Sequence, residues 1–282
     1  MTIRLATNCL HIEMAVPDVP AACATFEELL GAAPIEEELV KRISGVVLDI
    51  DHRGCGDAVF QFCSPLIEDI PAAHELRRIG PCVTNLTFYV ADAPGTAALL
   101  REAGAAVRTH WSTKPGSWLR FLGEGNARAA EDLADGWFMG TRHLFGFDFE
   151  FSEPPWLDPT KQRYMHPAFT YPRPHIEDKV ERLLRLRVVV DDLDRHLGNV
   201  VELFDSGSRS DVYDERSDAS SRSARIALRG LELEYVQPLD GRPVEPGITT
   251  AVFGVDDIDA WPTTSFDTKS VMGIDLEVVP LS

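Results

Sequence analysis

The chain has 282 residues, of which 44% are hydrophobic, so it can build one large domain or two domains of ordinary size. Its formal net charge of −18 argues against nucleic acid or an anionic membrane as a partner. No apolar run approaches the ~18 residues of a membrane-spanning helix, and the first residues do not resemble a secretory signal. The five cysteines form no C-x-x-C pair, which indicates reduced thiols in a cytoplasmic protein.

The first predicted elements are a strand and a helix within the stretch "CLHIEMAVPDVPAACATFEELLGA". Alternating apolar and polar residues over 10–16 predict the strand and place His11 and Glu13 on the same face. Asp18 stands at the N-cap position of the helix, and Gly31 is suited to its C-terminal stop.

The same pattern of strand, capped helix and short closing strand returns three more times along the chain. Later openings lie at 83–107, at 183–207 and from 248, where Pro262 cuts the helix short. Each repeat closes on a strand that ends in proline: "FQFCSP", "FEFSEP", "LEYVQP" and "LEVVP". The sequence therefore predicts four modules, each with a strand and a helix followed by short strands.

Unequal spacing of these modules excludes a solenoid of uniform repeats and favours paired modules with insertions. The proline-rich segment 153–179 is predicted to link a first domain, 1–152, to a second domain, 180–282. Insertions at 112–136 and 206–223 are predicted to be loops.

Polar side chains of the first two modules are expected to converge on one cavity. Strand alternation places the apolar rows under the helices and turns the polar faces the other way. In "HLFGFDFEF", the four phenylalanines share one face, so Asp148 and Glu150 share the other. The residues expected to line the cavity are His11, Glu13, Gln61, Asn85, Thr87, Tyr89, Asp148 and Glu150.

Most other histidines are expected outside this cavity. His143 falls on the phenylalanine face by parity and is expected to be packed. His110 is expected within reach of the cavity. The others, His52, His74, His166, His175 and His196, are expected in turns, in the linker or on helix surfaces, with solvated side chains.

Two pairs of strand–helix–strand–strand–strand modules resemble the vicinal oxygen chelate superfamily, which includes glyoxalase I, methylmalonyl-CoA epimerase, extradiol dioxygenases and bleomycin-resistance proteins. The stretches "HIEMAVPDVPAACATFEELLGA" and "FGFDFEFSEPP" are similar to its module openings and closings. The resemblance implies an α+β fold, in which tandem βαβββ modules form two curved mixed-sheet domains with helices outside. The first domain is most similar to the epimerase and glyoxalase branches.

In this superfamily, metal ligands come from one position in each opening strand and one in each closing strand. Carried onto this chain, the resemblance implies His11, Gln61 and Glu150 as ligands, with Asn85 where a second imidazole is expected. This mixed nitrogen and oxygen set suits a divalent Zn, Co, Ni, Mn or Fe ion. The alternative is a metal-free polar cluster in which Glu150 pairs with His11.

The equivalent positions of the second domain are expected to form a degenerate site. They hold Arg185, Glu234, Thr250 and Glu277, with Arg187 and Glu232 on the same faces. Arginine cannot ligate a cation, and a guanidinium between carboxylates replaces the charge of a metal. This set cannot reproduce the two-histidine, one-carboxylate iron site of extradiol dioxygenases, so we predict that the protein is not one. A structural role and the binding of an anionic ligand group both stay open.

We expect an isomerase, epimerase or lyase that uses metal-assisted proton transfer next to the carbonyl group of a small-molecule substrate. Glu150 or Glu13 would move the proton. The remaining cavity residues, Asn85, Thr87, Tyr89 and Asp148, would bind the substrate. Two alternatives stay open: a non-catalytic, antibiotic-type binding protein and a metal-free acid–base enzyme. Assembly as a homodimer is also left open.

Overall fold

A computed structural model describes residues 2–6, 9–35, 48–68, 70–111, 136–153, 179–205 and 212–281. Apart from residues at their ends, the predicted linker 153–179 and the insertion 112–136 lie outside these ranges. None of the described helices has the length and apolar character that a membrane crossing requires.

The first half of the chain contributes eight strands to one mixed sheet. These are β1 (His11–Ala15), β2 (Ala33–Pro34), β3 (Leu48–Cys55), β4 (Ala58–Pro65), β5 (Cys82–Tyr89), β6 (Ala106–Trp111), β7 (Gly136–Gly140) and β8 (Asp148–Ser152). Their order across the sheet is β2-β3-β4-β1-β5-β8-β7-β6. The opening strands are parallel to the closing strands of their own modules, β1 to β4 and β5 to β8.

Helices follow the opening strands as predicted. The described helices of this half are α1 (Val19–Leu30), α2 (Pro71–Ile79), α3 (Ala93–Glu102) and α4 (Arg142–Phe145). Asp18 caps α1 by accepting a 2.9 Å hydrogen bond from the Ala21 N–H, and Asp92 caps α3 in the same way. Gly31 ends α1 in the left-handed conformation, with φ of 72°.

The second half forms a seven-strand mixed sheet. Its elements are β9 (Arg182–Val189), α5 (Leu193–Leu203), β10 (Val212–Ser217), β11 (Ser221–Leu228), β12 (Leu231–Pro238), β13 (Gly247–Val255), a 3₁₀ turn (Ile258–Ala260), β14 (Ser265–Phe266), α6 (Lys269–Met272) and β15 (Asp275–Pro280). The strand order is β10-β11-β12-β9-β13-β15-β14. With two mixed sheets and the described helices, the predicted α+β class is confirmed.

Clustering of contacts divides the chain into two units, each of which takes modules from both halves. One unit contains β5 to β8 with α5 and β10 to β12, and Phe145 packs against Phe204 there with ring centroids 5.1 Å apart. The other contains β1 to β4 with β13 to β15, and Phe26 packs against Phe60 at 4.8 Å and Phe253 at 6.3 Å. The domain bounds 1–152 and 180–282 stay a prediction.

The prediction of a loop over 206–223 is wrong for its described part. Residues 212–217 form β10, and β11 begins at 221. Most side chains of β10 are exposed, so the strand lacks the apolar alternation by which strands are recognised. Arg225 of β11 holds this edge strand through Asp214 at 3.3 Å.

The stretch "HLFGFDFEF" is also more varied than a single strand. Residues 142–145 form α4 and β8 begins only at Asp148, so His143 is exposed rather than packed. Between them Gly146 adopts φ of 81°, and a Cβ there would lie 2.5 Å from Val188 Cγ1. The chain therefore turns at a glycine before the closing strand starts.

This turn belongs to a repeat that the sequence analysis missed. Thr141–Asp148 reads "TRHLFGFD", and Thr268–Asp275 reads "TKSVMGID". In both stretches the threonine hydroxyl donates to the backbone oxygen of the residue just before the aspartate. These residues are Phe147 and Ile274. Both also hold a short helix ending at a glycine in the left-handed conformation.

Candidate metal site on the first sheet

A row of polar side chains crosses three neighbouring strands of the first sheet. Gln61 on β4 is paired with Glu13 on β1 and with His52 on β3, so the three side chains share one face. The Gln61 Nε2 donates to Glu13 Oε2 at 2.6 Å, and Gln61 Oε1 lies 2.6 Å from His52 Nε2. Because an amide oxygen can only accept, this last contact requires the proton of His52 on Nε2.

Glu13 has a neutral donor on each carboxylate oxygen. Gln61 binds Oε2, and the Thr84 hydroxyl donates to Oε1 at 2.8 Å. His11 lies two residues before Glu13 on the same face of β1 and is only 7% exposed. The His11 and His52 rings have their centroids 5.6 Å apart. This edge of β1 is therefore a buried polar environment that holds one carboxylate in place.

Glu150 is held by a second set of donors on β5. Thr87 is paired with Glu150 of β8, and its hydroxyl donates to Glu150 Oε2 at 3.0 Å. The completely buried Asn85 donates to the same oxygen through Nδ2 at 2.7 Å. Asn85 thus acts as a hydrogen-bond donor to the carboxylate, at the position where the resemblance implies a second imidazole.

His11 and Glu13 lie on β1 in one contact unit, and Glu150 lies on β8 in the other. One imidazole and two carboxylates are donors that divalent transition metals accept, and two negative charges match the charge of such an ion. Neutral donors on both carboxylates favour their charged form, which a metal ligand requires. These donor types fit a divalent metal, and the ligand set itself, including Gln61, stays a prediction.

Asp148 begins β8, and its described contacts are with the turn before this strand and with Arg108 of β6. It is completely buried and accepts the Arg142 N–H at 2.9 Å. Its Oδ2 lies 3.5 Å from the Arg108 guanidinium and 3.9 Å from that of Arg142. In the second copy of the repeat, Asp275 has a comparable ion pair with Lys269 at 2.7 Å. These contacts indicate that Asp148 stabilises the fold. A role for Asp148 in substrate binding stays a prediction.

Tyr89, the last of the expected cavity residues, ends β5. It is paired with Ser152 of β8 and is completely buried. Its part in substrate binding also stays a prediction.

The second sheet carries ion pairs at the equivalent positions. Arg187 binds Glu277 with two parallel contacts of 2.9 and 3.3 Å. Arg225, which the sequence analysis missed, lies 3.7 Å from Glu232 and 3.3 Å from Glu234. Here guanidinium groups face the carboxylates, in line with the expected substitution of arginine for metal charge.

Two histidines expected to be solvated are buried. His52 is 3% exposed in β3, where the alternation of "LDIDHRGC" puts it on the face of Ile50; this alternation could have revealed it. His196 is completely buried in α5, and its Nδ1 lies 3.1 Å from the Leu144 oxygen. Its helical spacing from Leu193 and Val200 places it on the buried face.

No family model matches the sequence, and no curated protein matches it. Solved structures do match. A mutant of 4-hydroxymandelate synthase from Streptomyces coelicolor superimposes with a TM-score of 0.59 at 18% identity, covering 90% of this chain and 72% of that one. A hypothetical protein from Staphylococcus aureus matches with a TM-score of 0.55 at 9% identity, covering all of both chains.

A third match is a fusion of a xylose isomerase-like TIM barrel with 4-hydroxyphenylpyruvate dioxygenase. Its TM-score is 0.50 at 12% identity, and it covers 92% of this chain and 38% of that one. At these identities the similarity concerns the fold alone. The predicted resemblance is confirmed at this level: the chain has the fold of the vicinal oxygen chelate superfamily.

Proposed function

We propose that the protein is an isomerase, epimerase or lyase that moves a proton next to the carbonyl group of a small molecule, with a divalent metal held by His11, Glu13 and Glu150. The observation that carries this proposal is that hydrogen-bond donors hold the Glu13 carboxylate on β1 and the Glu150 carboxylate on β8, on strands that carry the predicted ligands. It is supported by His11, a buried imidazole two residues before Glu13 on the same face of β1.

Each residue of the site has a distinct part in this proposal. A bound divalent ion supplies Lewis-acid polarisation of substrate oxygen atoms. Asn85 and Thr87 fix Glu150 by binding its Oε2, and so set the direction in which the carboxylate faces. Glu150 takes the proton from the carbon next to the carbonyl, and in an isomerase it delivers that proton to another atom of the substrate. Glu13, bound by Gln61 and Thr84, serves as a ligand.

We place the reaction on the first sheet rather than the second. The likeness to 4-hydroxymandelate synthase concerns the fold and does not bring its activity to this chain. In the second sheet the Glu277 carboxylate is bound by Arg187 through two contacts, and a guanidinium cannot be a ligand. An iron-dependent ring cleavage at the second-sheet positions is therefore not part of the proposal.

Elemental analysis of protein purified without chelators tests the metal site. The wild type is expected to carry about one divalent ion per chain, and His11→Ala and Glu13→Gln are expected to lose most of it. Glu277→Gln, a matched change in the second sheet, should keep it. Wild-type metal content in His11→Ala and Glu13→Gln would refute the assignment.

Exchange of solvent deuterium into 2-substituted carbonyl compounds tests the reaction. Wild-type protein should catalyse exchange, and Glu150→Gln should lower the rate at least ~100-fold because it removes both the proton acceptor and a metal ligand. Metal binding with no exchange on any such compound would favour the non-catalytic binding protein. Exchange that survives complete removal of the metal would favour the metal-free acid–base enzyme.

A further inference from the structure

We propose that His52 is a positioning residue, which orients the Glu13 carboxylate through the amide of Gln61. The proposal rests on the proposed metal function for its consequence, a change in metal affinity. It assigns a role to His52, a buried histidine that is not among the proposed metal ligands.

The three residues form one continuous hydrogen-bonded chain. His52 Nε2 lies 2.6 Å from Gln61 Oε1, and Gln61 Nε2 donates to Glu13 Oε2 at 2.6 Å. The residues lie directly opposite one another in the register of β3, β4 and β1, so the sheet fixes the spacing of their backbones.

The direction of the chain follows from the donors available. An amide has its acceptor and its donors at opposite sides of one planar group. Because the Glu13 carboxylate only accepts, the Gln61 amide turns its nitrogen towards Glu13, and its oxygen then accepts from the Nε2 proton of His52. Without that donor the amide could rotate, and its oxygen would then face the Glu13 carboxylate and repel it.

Because His52 is buried, the orientation of the Gln61 amide depends on its N–H. His52 is only 3% exposed, so water has little access to replace its N–H at the Gln61 oxygen. The loss of one member of a buried polar network also leaves its partners unsatisfied. Outer residues that orient a metal ligand typically change metal affinity by about 10- to 100-fold when they are replaced.

Titration of the purified protein with Co²⁺, followed by calorimetry and by the visible absorption of the bound ion, tests the consequence. His52→Leu should weaken Co²⁺ binding by about 10- to 100-fold and change the spectrum. His52→Gln, whose side-chain amide can donate in place of the imidazole, should restore the affinity to within about threefold. Co²⁺ binding and a spectrum unchanged in His52→Leu would overturn the proposal.

A double-mutant cycle separates positioning from general destabilisation. Gln61→Leu should weaken binding as much as His52→Leu, and the double variant should lose no more than either, because both act through one chain of bonds. Fully additive losses would contradict the proposal. His196→Leu removes another buried imidazole and should lower the unfolding temperature without a change in Co²⁺ affinity or spectrum.

The tautomer of His52 supplies a readout that needs no metal. Two-bond ¹H–¹⁵N spectra of the wild type should show His52 with its proton on Nε2, a preference that Gln61→Leu should weaken. A wild type that keeps this tautomer but binds no Co²⁺ would refute the proposed metal function and leave the His52–Gln61–Glu13 chain standing. A proton on Nδ1 would overturn the chain itself.

Discussion

Asp148 shows how one carboxylate near a site can serve the fold. It is completely buried, bonded to the Arg142 N–H and close to two guanidinium groups. Removing one partner of a buried ion pair leaves the other uncompensated, so Asp148→Ala should lower the free energy of unfolding by about 3 kcal/mol. Metal content should not change. Urea unfolding and elemental analysis measure the two effects.

The second copy of the turn provides the control for this prediction. The Asp275 side chain is 26% exposed and that of its partner Lys269 is 57% exposed, so Asp275→Ala should cost about 1 kcal/mol or less. If Asp148→Ala kept its stability but bound substrate poorly, Asp148 would belong to the substrate site as the sequence analysis predicts.

Cys23 illustrates a thiol made unreactive by its surroundings. Burial raises the pKa of Cys23 to about 11 from an ordinary value of 9.0, so the thiolate is scarce near neutral pH. With iodoacetamide at about pH 8, the partly exposed Cys9 should be labelled first, and Cys23 should resist until the protein unfolds. Mass spectrometry of peptides from timed samples gives the order. Early labelling of Cys23 would contradict its burial.

The same pKa has a consequence for stability. Because the pKa is higher in the folded than in the unfolded state, the unfolded state loses the proton first as pH rises. The protonated Cys23 thiol therefore makes its full contribution to the free energy of unfolding below about pH 9. This contribution is lost between about pH 9 and 11.

Residues of the candidate site were predictable to different degrees. Alternation along β1 and β8 was enough to put His11, Glu13 and Glu150 on polar faces, because it depends on one strand at a time. The part of His52 depends on the register between β3 and β4, which places it opposite Gln61. The register between two strands is set by contacts between residues distant in the sequence. These contacts cannot be predicted from a single sequence.

Helix caps are the structural feature that the sequence predicts most directly. Asp18, Asp92 and Asp192 each accept a backbone N–H at the start of a helix that follows an opening strand. Replacing any one by alanine should cost about 1 kcal/mol, measured by thermal or urea unfolding. Thr25→Ala, a change at a half-buried position within α1, is the matched control and should cost less than about 0.5 kcal/mol.

Gly95 gives a sterically distinct test of the same cap. A Cβ on Gly95 would overlap Asp92 Oδ2, so Gly95→Ala should displace the capping side chain, and this loss opposes the ~1 kcal/mol that alanine gains over glycine within a helix. The double variant should be more stable than Asp92→Ala, because the cap is already lost there and alanine favours the helix. A gain of about 1 kcal/mol in Gly95→Ala alone would show that the cap relaxes without cost.

At the scale of the whole molecule, both contact units draw on both halves of the sequence. In one, the Tyr235 hydroxyl donates to the Phe145 oxygen at 2.8 Å. In the other, the Leu183 N–H donates to Asp57 at 2.7 Å. The sequence predicted four modules from local periodicity, but which modules share a core depends on contacts more than 80 residues apart along the chain.

Cutting the chain within 153–179 tests this organisation. Neither half should unfold cooperatively alone, because each lacks part of both cores, and the mixed halves should recover a wild-type transition. The measurement is urea unfolding followed by far-ultraviolet circular dichroism. A cooperative transition of 1–152 alone would support the two independent domains that the sequence analysis predicts.

An anomalous difference map from crystals grown with Co²⁺, recorded at the cobalt absorption edge, tests the metal site most directly. We expect a peak at the proposed ligands His11, Glu13 and Glu150, with Gln61 turned between His52 and Glu13. The same map from Glu13→Gln crystals should show the peak strongly reduced. A peak at the second sheet only, or no peak at these three side chains, would contradict the proposed site.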